Sequence, residues 1–248
     1  MDRNYWEKIA QNYNAEIFDV FRNDKTGIIR EAILEHSNNS KTVIDIGCAV
    51  GKWIPFLSVN FKKVIATDIS AKNIELAKKN CKAFANVEYS RTDMSDSKLK
   101  ISPVDFAVCI NAILTGSLSK RTVFFKSLSK CVKKSGTLIL VIPSLESSMY
   151  TSIIRHRWKV DQQLLKASSS TKAKAIKYEN LQQGNVNIDN MPTKHYLREE
   201  LILLLEQEGF NVTKIQKVEY SWKTEFVKPP RWLKEPLPWD WMCVAKKK

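Results

Sequence analysis

Val43-Ile44-Asp45-Ile46-Gly47-Cys48-Ala49-Val50-Gly51 is the stretch that decides the fold of this 248-residue chain. The β-branched run from Thr42 to Ile46 has the length and composition of a buried strand. Small residues then interrupt it. Past Gly51, Trp53, Phe56 and Leu57 begin an apolar helical spacing, and Pro55 suits a helix's first turn, where a missing N–H costs little. The stretch predicts strand, tight turn, helix. Glycine in such a turn lets the backbone approach a ligand, and the N-terminus of the following helix offers free N–H groups.

The next strand sharpens this reading. Lys63 to Thr67 ends at Asp68, and Ser70 is placed to cap a helix through Ile74, Leu76 and Ala77. An acid at the tip of a second parallel strand is positioned to accept the hydroxyls of a ribose. Outward from here the alternation runs strand 41–46, helix 52–59, strand 62–67, helix 71–82, strand 86–90, strand 104–110, helix 118–133 and strand 136–142. Strands alternating with helices predict right-handed crossovers and an α/β, doubly wound, mostly parallel sheet.

In order and spacing, these pieces resemble the class I, Rossmann-like S-adenosylmethionine-dependent methyltransferases, and among them those that act on small molecules. The residues that carry the resemblance are Asp45 to Gly51, Asp68-Ile69-Ser70, Arg91-Thr92-Asp93-Met94, Val104 to Asn111, and Lys133-Lys134-Ser135-Gly136. The resemblance implies a seven-stranded sheet closed by an antiparallel hairpin. It implies S-adenosyl-L-methionine as cofactor and S-adenosyl-L-homocysteine as product. It assigns the amino acid portion to the loop N–H groups around Gly47, Cys48 and Gly51, with Asp45 steering the turn. Asp68 falls on the ribose, Ile69 on the adenine, Asp93 on the adenine amino group and Met94 beside it through its backbone. Asn111 falls near the reactive centre. An N-terminal segment with a tyrosine such as Tyr13 covers the cofactor in related enzymes. Two departures stand out: the family usually has Gly at Ala49, and often two glycines at Ser135-Gly136. If Ala49 needs a left-handed backbone, its methyl costs about 1–2 kcal/mol. That departure, with the lack of an evident base, keeps a non-catalytic cofactor-binding regulator in view.

The totals bound the partners. The formal net charge is +14, but lysines are spread along the whole chain, which favours a solvated surface over a nucleic-acid footprint. No run approaches the roughly 18 apolar residues of a membrane span. The start, Met1 to Trp6, lacks the order of a signal peptide, so a cytoplasmic protein is expected, as monomer or homodimer. Five scattered cysteines form no C-x-x-C pair, and no metal set is expected. Cys109-Ile110-Asn111-Ala112 lacks the Pro-Pro-aromatic turn of base-amino methylation. Ile142-Pro143-Ser144 lacks the nucleophilic cysteine of pyrimidine C5 methylation.

The chain reads as one domain in four parts. Residues 1–36 form an N-terminal cap of two helices, 37–143 the cofactor-binding core, 144–193 an insertion after strand 5, and 194–248 a helix and β-hairpin. In the insertion, Ser147 to Lys166 reads as a helix, Ser168-Ser169-Ser170 as a turn, Lys172 to Tyr178 as a second short helix, and Gly184-Asn185 as the turn of a small hairpin. Its aromatics among basic groups suit a planar or carboxylate-bearing acceptor. Tyr13, His156 and His195 are the candidates for orienting or deprotonating it. The expected reaction is methyl transfer to O, N or S of a small molecule. RNA or protein methylation through the basic insertion is the second reading.

Overall fold

The computed structural model describes residues 3–13, 17–158, 160, 184–188 and 191–248. Its centre is β1 (Asn38–Ile46), whose last four residues are all buried. To one side lie β2 (Phe61–Asp68) and β3 (Val87–Arg91); to the other, β4 (Val104–Ile110) and β5 (Val132–Pro143). The edge is completed by β9 (Trp239–Lys247) and β8 (Phe210–Glu219), giving the order β3-β2-β1-β4-β5-β9-β8. Strands β1 to β5 are mutually parallel, and β9 runs antiparallel to both β5 and β8. This is the mostly parallel, seven-stranded Rossmann-like sheet expected.

A strand covered on both faces must be largely apolar on both, which is why Val43, Ile44 and Ile46 crowd the inner end of β1, with Asp45 the exception. Ile44 and Ile46 face a core with Leu138, Leu140, Phe125 of α6 (Leu118–Lys130), and Leu201 and Leu205 of α8 (Arg198–Gln207). Val43 faces the opposite core with Val64, Phe106, Leu57 of α4 (Ile54–Asn60), and Ile29 and Ile33 of α3 (Ile28–His36). Each such side chain contributes about 1.5–3 kcal/mol by leaving water.

Register fixes where the chemistry falls. Ile46 lies opposite Thr67 of β2 and Cys109 of β4, so Asp68 and Asn111 follow at the same edge of the sheet. Because β9 runs the other way, its beginning reaches that edge too: Asp240 pairs with Pro143, the end of β5. Tyr220 follows β8 there.

The N-terminal segment is more broken than two helices. It comprises α1 (Arg3–Ile9), a 3-10 turn (Ala10–Asn12), α2 (Val20–Asn23) and α3. It is strapped to the core at two places. Glu7 accepts hydrogen bonds from Ala71 N (2.8 Å), Lys72 N (3.3 Å) and Ser70 Oγ (3.1 Å) at the start of α5 (Ala71–Asn80). A carboxylate there meets the positive end of the helix. Burial pushes the Glu7 carboxyl up, but these donors and Arg3 hold it below its ordinary value. The second strap is the Asp19–Lys52 ion pair at 2.8 Å, beside Gly51.

Past β5, α7 (Leu145–Arg157) begins two residues before the predicted helix, capped by Ser144. Most of the rest of that predicted helix, the serine turn and the helix at 172–178 lie outside the described residues. Gly184 and Asn185 do not turn the hairpin. Asn185 begins its first strand, β6 (Asn185–Ile188), paired with β7 (Met191–Lys194). Gly184 instead sits at φ 65° with its carbonyl accepting from His195 N. No helix among the described residues is long and apolar enough to cross a membrane.

Candidate active site

The turn after β1 is built by backbone bonds. Gly47 N and Cys48 N both donate to Thr67 O, at 2.8 and 2.9 Å, and Gly51 N donates to Cys48 O at 2.9 Å. Ala49 N donates to Asp68 Oδ2 at 2.9 Å. These amides are engaged within the protein. The N–H groups of Gly47, Cys48 and Gly51, which the resemblance sets against the cofactor, thus have partners within the turn and β2.

Gly47 is required twice over, by φ 77° and because an added Cβ would stand 2.5 Å from Ala112 Cβ. That contact brings the loop after β4, and with it Asn111, against the cofactor turn. The two departures from glycine both occupy the left-handed region, Ala49 at φ 48° and Ser135 at φ 63°. Ala49→Gly removes that strain and adds glycine's chain entropy. We expect a net gain of about 0.5–1 kcal/mol, or roughly 2 °C in Tm by calorimetry.

Asp68 is buried at the tip of β2. Oδ1 accepts from Ser70 N (2.9 Å) and Asn73 Nδ2 (3.2 Å), and Oδ2 accepts from Ala49 N. A carboxylate has about four lone-pair sites, so one on Oδ2 remains open. Burial raises the Asp68 carboxyl above its ordinary value, opposed by these donors. Ile69 is half-buried beside it.

Asp45 is 2% exposed and its Oδ2 has no partner among the described residues. Burial, reinforced by the charge on Asp68, pushes its carboxyl up to about 7. Tyr13 is brought to the same place: burial first, then Asp68, Cys48, Asp19 and Asp45 push its hydroxyl well above the usual phenol value. It therefore remains a donor. Lys52 Nζ lies 5.6 Å from its ring centroid.

The other predicted residues divide. Asp93 is exposed, and its Oδ1 accepts from Ser95 N and Ser95 Oγ, at 2.8 and 2.6 Å. Met94 turns its side chain into the core beside Ile46 and Cys109. Asn111 sits at φ 49° with Nδ2 donating to Asp240 Oδ2 at 2.9 Å. His195 is buried with Nδ1 at 3.0 Å from Thr193 O, and burial drives its pKa down to about 4, which suits a structural group better than a base at neutral pH. The side chain of His156 lies outside the described residues. All five cysteines are buried, and burial raises each thiol, so none is an activated nucleophile.

Sequence reasoning missed Tyr220 and Asp240. Tyr220 Oη donates to Asp240 Oδ2 at 2.9 Å. An acid between Trp239 and Trp241 in an otherwise apolar strand was the available signal. The crevice thus holds Asp45, Asp68 and Asp240, although the chain as a whole is +14. A cationic ligand fits that polarity. The sulfonium and ammonium of S-adenosylmethionine are cations, and the orphaned Asp45 oxygen suits the ammonium.

This gives a pH dependence. Between pH of about 4 and 7 the ligand-free folded state holds a proton on Asp45 that the unfolded state releases, so its stability falls with rising pH through that window. An ammonium needs the ionised acid. S-adenosylhomocysteine affinity should rise about tenfold between roughly pH 5.5 and 7, ending where the ligand's own amino group deprotonates. Asp45→Asn should flatten the profile in calorimetric titrations.

Residues 43–136 match a family described as a methyltransferase domain. A tRNA/tmRNA (uracil-C(5))-methyltransferase of Campylobacter lari is 33% identical over 97 residues; the match takes in 34% of this chain and 28% of that relative's length. Among solved structures, a SAM-dependent methyltransferase from Anabaena variabilis superposes with TM-score 0.66 at 17% identity, over 99% of this chain and 93% of its own. The DhpI-SAM-HEP complex superposes with TM-score 0.62 at 14% identity, over 99% and 95%. The family match falls on the strand, turn and acidic tip described above: residues 43–136 are similar to a methyltransferase domain, and the seven-stranded sheet around them has the fold of the S-adenosylmethionine-dependent methyltransferase structures.

Proposed function

We propose that the protein transfers a methyl group from S-adenosylmethionine to an O, N or S atom of a small-molecule acceptor. When bound, the cofactor supplies a methyl already activated by its sulfonium. The protein's part is to hold two partners in line, and well-oriented reactions draw about 7–11 kcal/mol from such alignment. In this reading Asp45 meets the ammonium, Asp68 the ribose, Ile69 and Asp93 the adenine, and Asn111 lines the reacting end. Tyr13 lies over the cofactor. The observation that carries the small-molecule reading is the N-terminal strap. Glu7 on α5 and Asp19 on Lys52 draw it across the crevice, where a polymer would otherwise enter. Five unpaired cysteines accord with the reducing cytoplasm.

The Campylobacter lari relative favours a second reading, RNA methylation. The buried, unactivated thiols argue against carrying its C5 chemistry over. Incubating the protein with cell extract and radiolabelled cofactor separates the readings. Label in small metabolites supports the proposal. Label in RNA, with binding that weakens steeply as salt rises, supports the second reading. Label nowhere, despite cofactor binding, points to a regulator.

A further inference from the structure

We propose that Asn111, Asp240 and Tyr220 form the station that receives the acceptor, and that the acceptor group is an amine. This deepens the methyl-transfer reading and rests on it.

Asp240 is 9% exposed, at the edge where β4 and β5 end. Its Oδ2 accepts from Asn111 Nδ2 and from Tyr220 Oη, both at 2.9 Å. Both donors are neutral, and among the described residues no lysine or arginine is paired with it. A carboxylate buried with only neutral donors is an unbalanced charge. The Asn111 amide must turn its NH2 toward that carboxylate, because its oxygen would be repelled. Asn111 Oδ1 is thereby aimed away, buried and without a partner. Asn111 N, donating to Val141 O at 2.9 Å, fixes the backbone beneath it.

Position ties the station to the cofactor site. Ala112 abuts Gly47 of the cofactor turn. On the other side Phe18 of the N-terminal segment packs edge-on against Tyr220, centroids 4.8 Å apart. The station therefore lies between the cofactor turn and the strap.

Its needs are acceptor needs. Asn111 Oδ1 and the remaining Asp240 oxygen both seek a hydrogen. An amine nitrogen brings two N–H groups and keeps its lone pair free; a hydroxyl brings one hydrogen, and a carboxylate brings charge of the wrong sign. This narrows the expected planar or carboxylate-bearing acceptor to one that presents an amine. The amine's lone pair forms the N–C bond, while the electron pair of the C–S bond stays with sulfur. An alkylamine arrives protonated, so one ammonium proton goes first to the Asp240 carboxylate and from there to water, which frees that lone pair; the methylated nitrogen leaves as an ammonium.

The test is calorimetric binding of benzylamine, benzyl alcohol and benzoate to protein saturated with S-adenosylhomocysteine. Benzylamine should bind about tenfold or more tighter than either analogue. Asp240→Asn should lower benzylamine affinity about tenfold, and by clearly more than it lowers S-adenosylhomocysteine affinity. Tyr220→Phe, which keeps the ring under Phe18, should cost a few-fold and serves if Asp240→Asn does not fold. Equal binding of alcohol or benzoate, no binding of benzylamine, or indifference to both substitutions overturns the assignment. Failure of S-adenosylhomocysteine itself to bind overturns the cofactor reading, and this inference with it.

Discussion

Asp68→Ala is expected to weaken S-adenosylhomocysteine binding by 100-fold or more. The carboxylate acts in two directions. Its open site on Oδ2 is the one placed for a ribose hydroxyl, and a hydrogen bond to a charged group is worth about 1.5–3 kcal/mol. Its filled sites hold Ala49 N, Ser70 N and Asn73 Nδ2. Alanine leaves these donors without the group that organises the turn, at about 1–3 kcal/mol for each one that stays buried and unpaired. Ligand contact and turn geometry are therefore lost together, and calorimetry should record no measurable heat at concentrations that saturate the parent protein. Asp68→Asn keeps the shape but turns one acceptor into a donor. It should fall between the two, with a smaller loss of thermal stability than alanine.

Gly47→Ala should be nearly as damaging, for steric rather than polar reasons. The new methyl must enter the left-handed region, at about 1–2 kcal/mol. It must also displace Ala112, whose Cβ is 2.5 Å from where the methyl would stand. Displacing Ala112 shifts Asn111, and with it the bond to Asp240. We expect a loss of about 2–4 kcal/mol and a Tm lower by roughly 5–15 °C, measured by scanning calorimetry, with cofactor affinity falling in parallel. The double variant Gly47→Ala with Ala112→Gly removes the collision and leaves the backbone strain. It should recover about half of the loss. No recovery would mean the backbone conformation, rather than the close approach, sets the requirement.

The parts of this site that the sequence made legible are local. The run Val43 to Ile46, the small residues after it and the acid closing Lys63 to Asp68 each carry their own composition, and parallel pairing follows from the alternation. Ala49 and Ser135 stood out because the family the chain resembles often has glycine there, and both sit in the left-handed region that favours it. What composition could not reveal is partnership across long separations. Asp240 meets Asn111 only because β9 pairs antiparallel with β5 in a register that sets Asp240 against Pro143. Glu7 reaches α5 only once the N-terminal segment has folded over the core. The turn's amides gave a different lesson. Small residues suggest N–H groups ready for a ligand, yet Thr67 O and Asp68 Oδ2 already take three of the turn's four amide hydrogen bonds, and Cys48 O takes the fourth. Hydrogen bonds of that kind depend on where two strand ends come to rest side by side, which no single segment encodes.

The account stands on adenosine lying across the tips of β1 and β2 with Asp68 on its sugar. A crystal structure of the S-adenosylhomocysteine complex tests this most directly. It should place a ribose hydroxyl about 2.7 Å from Asp68 Oδ2, with the ligand's amino group beside Asp45. A ligand bound elsewhere, or an Asp68 that still touches only Ala49, Ser70 and Asn73 in the complex, would contradict it.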